Sequence, residues 1–295
     1  MNRLHIFFTT VLLTIILQLP SYAVADRLTV VASVFPLFEF AREVAGPAAD
    51  VRLLLPPGVD PHSWEPKPSD IVDLTRADIF LYTSEKMEPW AGDIARAVKG
   101  RGVALVQVTG SLGVSGNAHG EDPHFWLDLS LSARTIKMIG NELSERDPEN
   151  RDQYMANTVR YTRKLQQLDE AYKTGLKECE SRHLVTGGHA AFGHLTRRYG
   201  LEQISVYGLS PDAEPTPRHL AGIVSVVKEN GVQTIFSEEL MNPRMAQVLS
   251  RETGARVMVL NPGANLTAAQ WREGLAFIDI MSRNLDTLRE GLSCE

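Results

Sequence analysis

The 295-residue sequence predicts an α/β fold of two lobes, each a mostly parallel four-stranded sheet with flanking helices, joined by a long rigid backbone helix. Three observations carry this. Short runs rich in Val, Ile and Leu alternate with helical patterns, as expected of parallel strands covered on both faces. From Asp147-Pro148 to about Glu178 the only Gly or Pro after Pro148 is Gly175, so about 30 residues read as one helix, ~45 Å long. The strand–helix alternation then starts again.

Residues 1–25 stand apart. Arg3 gives a short positive start, 6–19 are almost wholly apolar, and Ala23-Val24-Ala25 is a small-x-small cleavage pattern. This is the pattern of a secretory signal peptide, with an apolar run short for a membrane span. No cysteine lies beside the cleavage site, so no lipid attachment is expected there. The expected division is a leader at 1–25, an N-terminal lobe at 26–146, a linking helix at 147–180 and a C-terminal lobe at 181–295.

In the first lobe, 28–33 read as a strand and Pro36 opens a helix reaching Val44. A second strand, 51–55, runs out into a proline-rich turn that carries His62, and Ser69 caps a short helix. Strands at 79–82 and 103–108 flank a helix at 89–98. A Gly/Ser-rich loop, 110–120, carries His119 and leads to Asp122-Pro-His124, with helix again from Ser130.

The linking helix carries Leu165, Leu168, Tyr172 and Leu176 at helical spacing. In the second lobe, a strand at 183–186 ends in Gly187-Gly188-His189, and a helix is expected over 190–199, stopped by Gly200. Strands follow at 203–207, 233–237 and 256–260. Thr216-Pro217 and Asn242-Pro243 read as helix starts, and Thr267-Ala-Ala-Gln270 is a capping box for a long closing helix.

A net charge of −6 without a Lys/Arg cluster argues against nucleic acid and anionic membrane surfaces as partners. Two cysteines in an exported chain, Cys179 and Cys294, are expected to form one disulfide tying the C-terminus to the end of the linking helix. No Gly-x-Gly-x-x-Gly, Walker loop or Gly-x-Ser-x-Gly elbow is present.

Ligands of open α/β sheets bind beyond the carboxyl ends of the strands. His62, His124, His189 and Asn261 follow strands two, four, five and eight, so all four are placed to meet in one interlobe cleft. His194, five residues after His189, reads as about 140° away on a shared helix, which makes joint ligation awkward. Three neutral imidazoles at one point suit zinc best among divalent metals. Trp64 and Trp126, each two residues after a histidine, are candidates to wall the site. A three-histidine centre with an open position is also a hydrolase arrangement, with Glu65 the nearest candidate base.

Leu54-Leu-Pro-Pro-Gly-Val-Asp-Pro-His62-Ser-Trp-Glu-Pro-Lys-Pro-Ser-Asp70 resembles the first signature of the zinc/manganese substrate-binding proteins of ABC transporters, the ZnuA/TroA type. Asp122-Pro-His124-Phe-Trp-Leu-Asp128 resembles the second and Gly188-His189-Ala-Ala-Phe-Gly-His-Leu the third. Ser210-Pro-x-Ala-Glu-Pro-Thr-Pro and Phe236-x-Glu238 are further matches. The resemblance implies a periplasmic, monomeric protein that is not an enzyme and hands its metal to a membrane permease driven by an ATPase. It makes His62, His124 and His189 metal ligands. The segment 259–263 resembles the stretch where the family usually has a carboxylate as fourth ligand. Here that position is Asn261, a neutral donor, so Zn²⁺ is expected over Mn²⁺ or iron, completed by water or by the Asn261 oxygen. His194 stands where the family often has an aromatic. The loop before His124 is short, with only His119, Glu121 and Asp122 for a family insertion rich in His and Asp.

Overall fold

The computed structural model describes residues 27–114, 122–211 and 214–295. The leader, His119 and Glu121, and the centre of the motif beginning at Ser210 lie outside the described residues. In the first lobe β1 (Leu28–Ala32), β2 (Ala49–Leu53), β3 (Ile79–Tyr82) and β4 (Ala104–Gln107) form a sheet in the order β2-β1-β3-β4. In the second, β5 (His183–Thr186), β6 (Glu202–Ser205), β7 (Thr234–Glu238) and β8 (Arg256–Leu260) take the order β6-β5-β7-β8. Every neighbouring pair is parallel. The two halves therefore repeat one topology. Strand order reverses between β1 and β3, and again between β5 and β7, which opens a crevice at the carboxyl ends of those strands.

The helices of the first lobe are α1 (Phe35–Ala45), α2 (Pro68–Leu74), α3 (Ala91–Val98), α4 (Val108–Leu112) and α5 (Leu129–Arg146). The linker is α6 (Arg151–Gly175). The second lobe carries α7 (Gly193–Tyr199), α8 (Pro217–Glu229), α9 (Arg244–Thr253), α10 (Ala268–Glu273) and α11 (Phe277–Gly291). Among the described residues, no helix is long and apolar enough to cross a membrane.

Five local expectations are corrected. Pro68 is the first residue of α2, and Asp70 rather than Ser69 closes its start, accepting the Lys67 N–H at 2.8 Å. The chain leaves β4 into the short helix α4, ended by Gly113 at φ +69°, before the loop begins. The linker helix starts at Arg151, because Pro148–Asn150 make a 3₁₀ turn whose Asp147 accepts from Asn150 Nδ2 and Tyr154 Oη. Helix α7 begins only at Gly193. The N–H groups of Ala190 and Ala191 are spent on the carbonyls of Gly208 and His189. The capping box at Thr267 is present, but Gly274, at φ +69°, ends α10 after six residues and α11 is a separate helix.

Helix α6 links the lobes by packing on α1 and α5 on one side and on α11 on the other. Tyr154, Tyr161, Leu165 and Tyr172 form its buried stripe. They belong to one apolar core that includes Phe40 and Ile136 of the first lobe and Phe236 and Phe277 of the second. Tyr172 donates to the Met281 carbonyl at 2.6 Å, and Asp169 takes Arg198 and the Tyr199 hydroxyl. The Arg198 guanidinium and these hydrogen bonds outweigh burial and hold the Asp169 carboxyl down at about 2. Cys179 and Cys294 are joined as a disulfide just beyond the end of α6, beside backbone bonds from Glu180 to Ser293 and from Glu295 to Glu178.

Candidate metal centre

An acidic side chain accepts the backbone N–H of each of the three histidines. His62 sits in the turn after β2, where Asp60 Oδ1 accepts its N–H at 2.9 Å. The same Asp-Pro-His sequence recurs at 122–124. Asp122 Oδ1 accepts the His124 N–H at 3.1 Å and also lies 3.0 Å from Nδ1 of the ring. Four residues after His124, Asp128 caps α5 by accepting from the N–H groups of Ser130 and Leu131, which anchors this turn to a helix.

His189 follows β5, and its carboxylate comes from the neighbouring strand β7. Glu238 Oε1 accepts the His189 N–H at 2.7 Å and lies 2.9 Å from Nδ1. The two glycines before His189 make room for this. A Cβ on Gly187 would stand 2.5 Å from Ala246, and one on Gly188 would overlap the Glu238 carboxylate. The glycine pair is therefore a close-approach device for β7 and α9, a more specific cause than room for His189 itself.

The rings converge from both lobes. Centroid separations are 5.4 Å for His62 and His124, 5.1 Å for His62 and His189, and 5.0 Å for His124 and His189. Their ligand atoms lie within 4.8 Å of one another. The Nε2 atoms of His124 and His189 are 3.1 Å apart. Two imidazole nitrogens on a tetrahedral zinc, each about 2.05 Å from the ion, are about 3.3 Å apart. With Nδ1 of each ring turned to a carboxylate, the Nε2 lone pairs face inward, the arrangement that second-layer acids impose on histidine ligands. Nε2 of His62 is buried with no hydrogen-bond partner. The residues thus fit a zinc-like ion in donor type, spacing and an unfilled buried acceptor.

The electrostatics agree. Burial, reinforced by the two neighbouring rings, pushes His62 down to about 3. Burial likewise holds His124 below its ordinary value despite Asp122. Burial works the same way on His189, but the Glu238 carboxylate outweighs it and the ring's pKa is raised. Burial favours the proton on Asp122, yet the hydrogen bond and charge of His124 hold its carboxyl below the usual range.

Asn261 follows β8 as expected and lines the same cleft, but its amide is engaged elsewhere. Nδ2 donates to Glu239, and Oδ1 accepts the Gly263 N–H at 2.7 Å. Beside it is a cavity of about 30 Å³ whose walls include His62, His189, Glu238 and Asn261. That volume admits a water molecule. Trp126 walls the site, 5.5 Å edge-on from His124, with Nε1 donating to the Pro262 carbonyl of the other lobe at 2.8 Å. Trp64 packs instead on Trp90. Glu65 is exposed and outside the cluster.

His194 does not share a helix with His189, since α7 starts between them, so the angular argument does not apply. Its Nε2 lies 3.1 Å from the Asp122 carbonyl, in the layer behind His124. Asp122 and Glu238 were legible only as motif letters. The repeated Asp-Pro-His could have exposed the first, whereas Glu238 needed the β5–β7 pairing.

Two parallel-sheet lobes closing histidines between them across a helical strut define a bilobal capture protein with a candidate metal centre at the lobe junction. The chain belongs to the ZnuA family, "zinc-uptake complex component A periplasmic", whose model matches residues 30–291. It is 37% identical over 284 residues to the high-affinity zinc uptake system protein ZnuA of Bacillus subtilis, covering 90% of this chain and 88% of that one. It is 34% identical to the zinc-binding lipoprotein AdcA of Streptococcus pneumoniae over 90% of this chain, but spans only 56% of that longer protein. The crystal structure of the Zn(II)-bound ZnuA-like domain of the same AdcA superposes with a TM-score of 0.79 at 34% identity, covering 90% of this chain and 99% of that domain.

Proposed function

We propose that this chain is the periplasmic capture protein of a metal ABC importer, binding Zn²⁺ through His62, His124 and His189 and delivering it to the membrane permease and, through it, the ATPase. The observation that carries this reading is the pair of inward-facing Nε2 atoms 3.1 Å apart, each fixed by a buried carboxylate behind its ring. The names of the relatives support zinc as the cargo.

In this reading a water in the cavity beside His62 and His189 completes the shell, with Asn261 left to hold its turn. Asp122 and Glu238 together supply two negative charges behind the imidazoles, which offset the dication without entering its shell. Manganese prefers oxygen donors and charge and is disfavoured by three nitrogens, and Fe²⁺ binds such donors more weakly than zinc. Glu65, the nearest candidate base for a hydrolase, is exposed and outside the cluster, and membership of a zinc-uptake family favours capture over turnover. The leader at 1–25 directs export and is removed, and residues 26–146, 147–180 and 181–295 act as lobe, strut and lobe in a monomer.

The experiment is metal content and competition on the purified mature chain, with His62→Ala, His124→Ala and His189→Ala beside wild type. One tightly held zinc per chain is expected in wild type, and a weaker, faster-releasing zinc in each variant. Displacement of zinc by manganese in wild type overturns the choice of metal.

A further inference from the structure

We propose that Asn265, a residue of the second lobe, is the positioning residue for His62 in the first. This rests on the reading of His62 as a ligand. Asn265 lies in the loop after β8 and is 1% exposed. Its Nδ2 gives one proton to the carbonyl of Pro56 and the other to that of Val59, both at 2.8 Å. Its Oδ1 accepts the Leu266 N–H at 2.8 Å, and the Leu266 carbonyl in turn accepts the Gly58 N–H at 2.7 Å. Both amide protons and the amide oxygen are therefore in use.

The turn gripped in this way, 56–59, ends three residues before His62. Its sequence explains why it needs an outside hold. Pro56, Pro57 and Pro61 have no N–H, so the loop can make few backbone bonds of its own. The ring of His62 also differs from the other two. His124 and His189 are oriented by Asp122 and Glu238, whereas among the described residues no carboxylate pairs with the His62 ring. Its placement comes from the loop backbone, which Asp60 holds locally at the His62 N–H and Asn265 anchors to the second lobe at Pro56 and Val59. The same amide forms part of the wall of the cavity against His62 and His189.

The consequence is that an event in the second lobe's 261–266 segment moves a ligand carried by the first. Asn265→Asp is the sharp variant. It keeps the shape and the acceptor for Leu266 but replaces both donors to the Pro56 and Val59 carbonyls.

The test uses the full mature chain loaded with zinc. Dissociation into excess chromophoric chelator is followed for wild type, Asn265→Asp, His62→Ala and the double variant, with X-ray absorption at the zinc edge counting imidazoles. Expected are about tenfold faster release in Asn265→Asp, one imidazole fewer around zinc, and no further acceleration when His62 is already alanine. Unchanged release in Asn265→Asp, or equal acceleration with and without His62, overturns the proposal; the latter marks general loosening. Should the aspartate variant not fold, the same cycle with Asn265→Ala decides by the same criteria. If His62→Ala itself holds zinc as wild type does, the ligand reading falls and this inference with it. If His62→Ala releases zinc and Asn265→Asp does not, only this inference falls.

Discussion

Glu238 holds His189 at two points. One carboxylate oxygen accepts the backbone N–H at 2.7 Å and lies 2.9 Å from Nδ1, although 49 residues separate the pair. The backbone bond fixes where the ring starts and the ring bond fixes where Nε2 points. Asp122 does the same for His124 from two residues away.

Glu238→Gln keeps the side chain's shape but removes the charge behind the ring. Zinc affinity is expected to fall about 10–100-fold with the fold intact. Competition with a calibrated chelator measures this, and an unchanged affinity would show that the carboxylate does not tune the ligand.

The proton should compete at His189 and not at the other rings. Burial opposes the charged form of His189, but Glu238 raises its pKa above the ordinary 6.5, whereas His62 is held at about 3 and His124 is lowered. Below the His189 pKa one proton must leave for each ion bound. Affinity should therefore drop about tenfold per pH unit on acidification toward pH ~6. A slope near two, or near zero, contradicts this. In the metal-free protein the His189 contribution to stability is full below about pH 6.5 and lost as pH rises through the folded value. His62 and His124 act the other way and cost stability below about pH 6.5.

Asn261→Ala should retain one zinc per chain, with affinity changed less than about tenfold, because the amide is committed to Glu239 and Gly263. Elemental analysis and chelator competition beside His124→Ala provide the comparison. Loss of the ion in Asn261→Ala would make its oxygen the fourth ligand.

Gly188→Ala places a methyl group where the Glu238 carboxylate stands. Two effects are expected together: a loss of stability of about 1–3 kcal/mol from overpacking, and weaker zinc binding of the same order as in Glu238→Gln. Urea unfolding and chelator competition separate them. A destabilised variant with wild-type affinity would mean that Glu238 relocates without consequence.

Cys179 and Cys294 close a loop of 115 residues in sequence. Replacing both by alanine should cost about 2–5 kcal/mol of unfolding free energy. Zinc affinity should be unchanged, since neither sulfur belongs to the cluster. Equal denaturation midpoints would leave the bond without a stabilising role.

The sheets were legible because most strands are short, largely apolar runs with a turn signal after them; β6, Glu202–Ser205, is the exception, with Ile204 its one apolar residue. His62 and His189 were legible because each lies in the turn after a strand; His124 lies beyond α4 and was legible through its Asp-Pro-His motif. Helix limits were less so. Gly274 divides the closing helix, where apolar residues at helical spacing run across the break, and the 3₁₀ turn at Pro148–Asn150 delays the linker, where Asp147-Pro148 reads as a helix start. The role of Glu238 could not be read, because nothing local shows that β7 lies beside β5. Asn265 was silent for the same reason: its partners are more than 200 residues away.

The bonds from Asn265 to Pro56 and Val59 span 209 and 206 positions of the chain. A chain that emerges amino end first can pair β1 to β4 early, but the loop of His62 stays unclamped until nearly the whole polypeptide has appeared. Cargo met by a half-emerged chain would find His62 on a free loop and no His189 at all. Assembly of the three-histidine cluster is thus a late event in the birth of the molecule, complete only when the full chain has arrived.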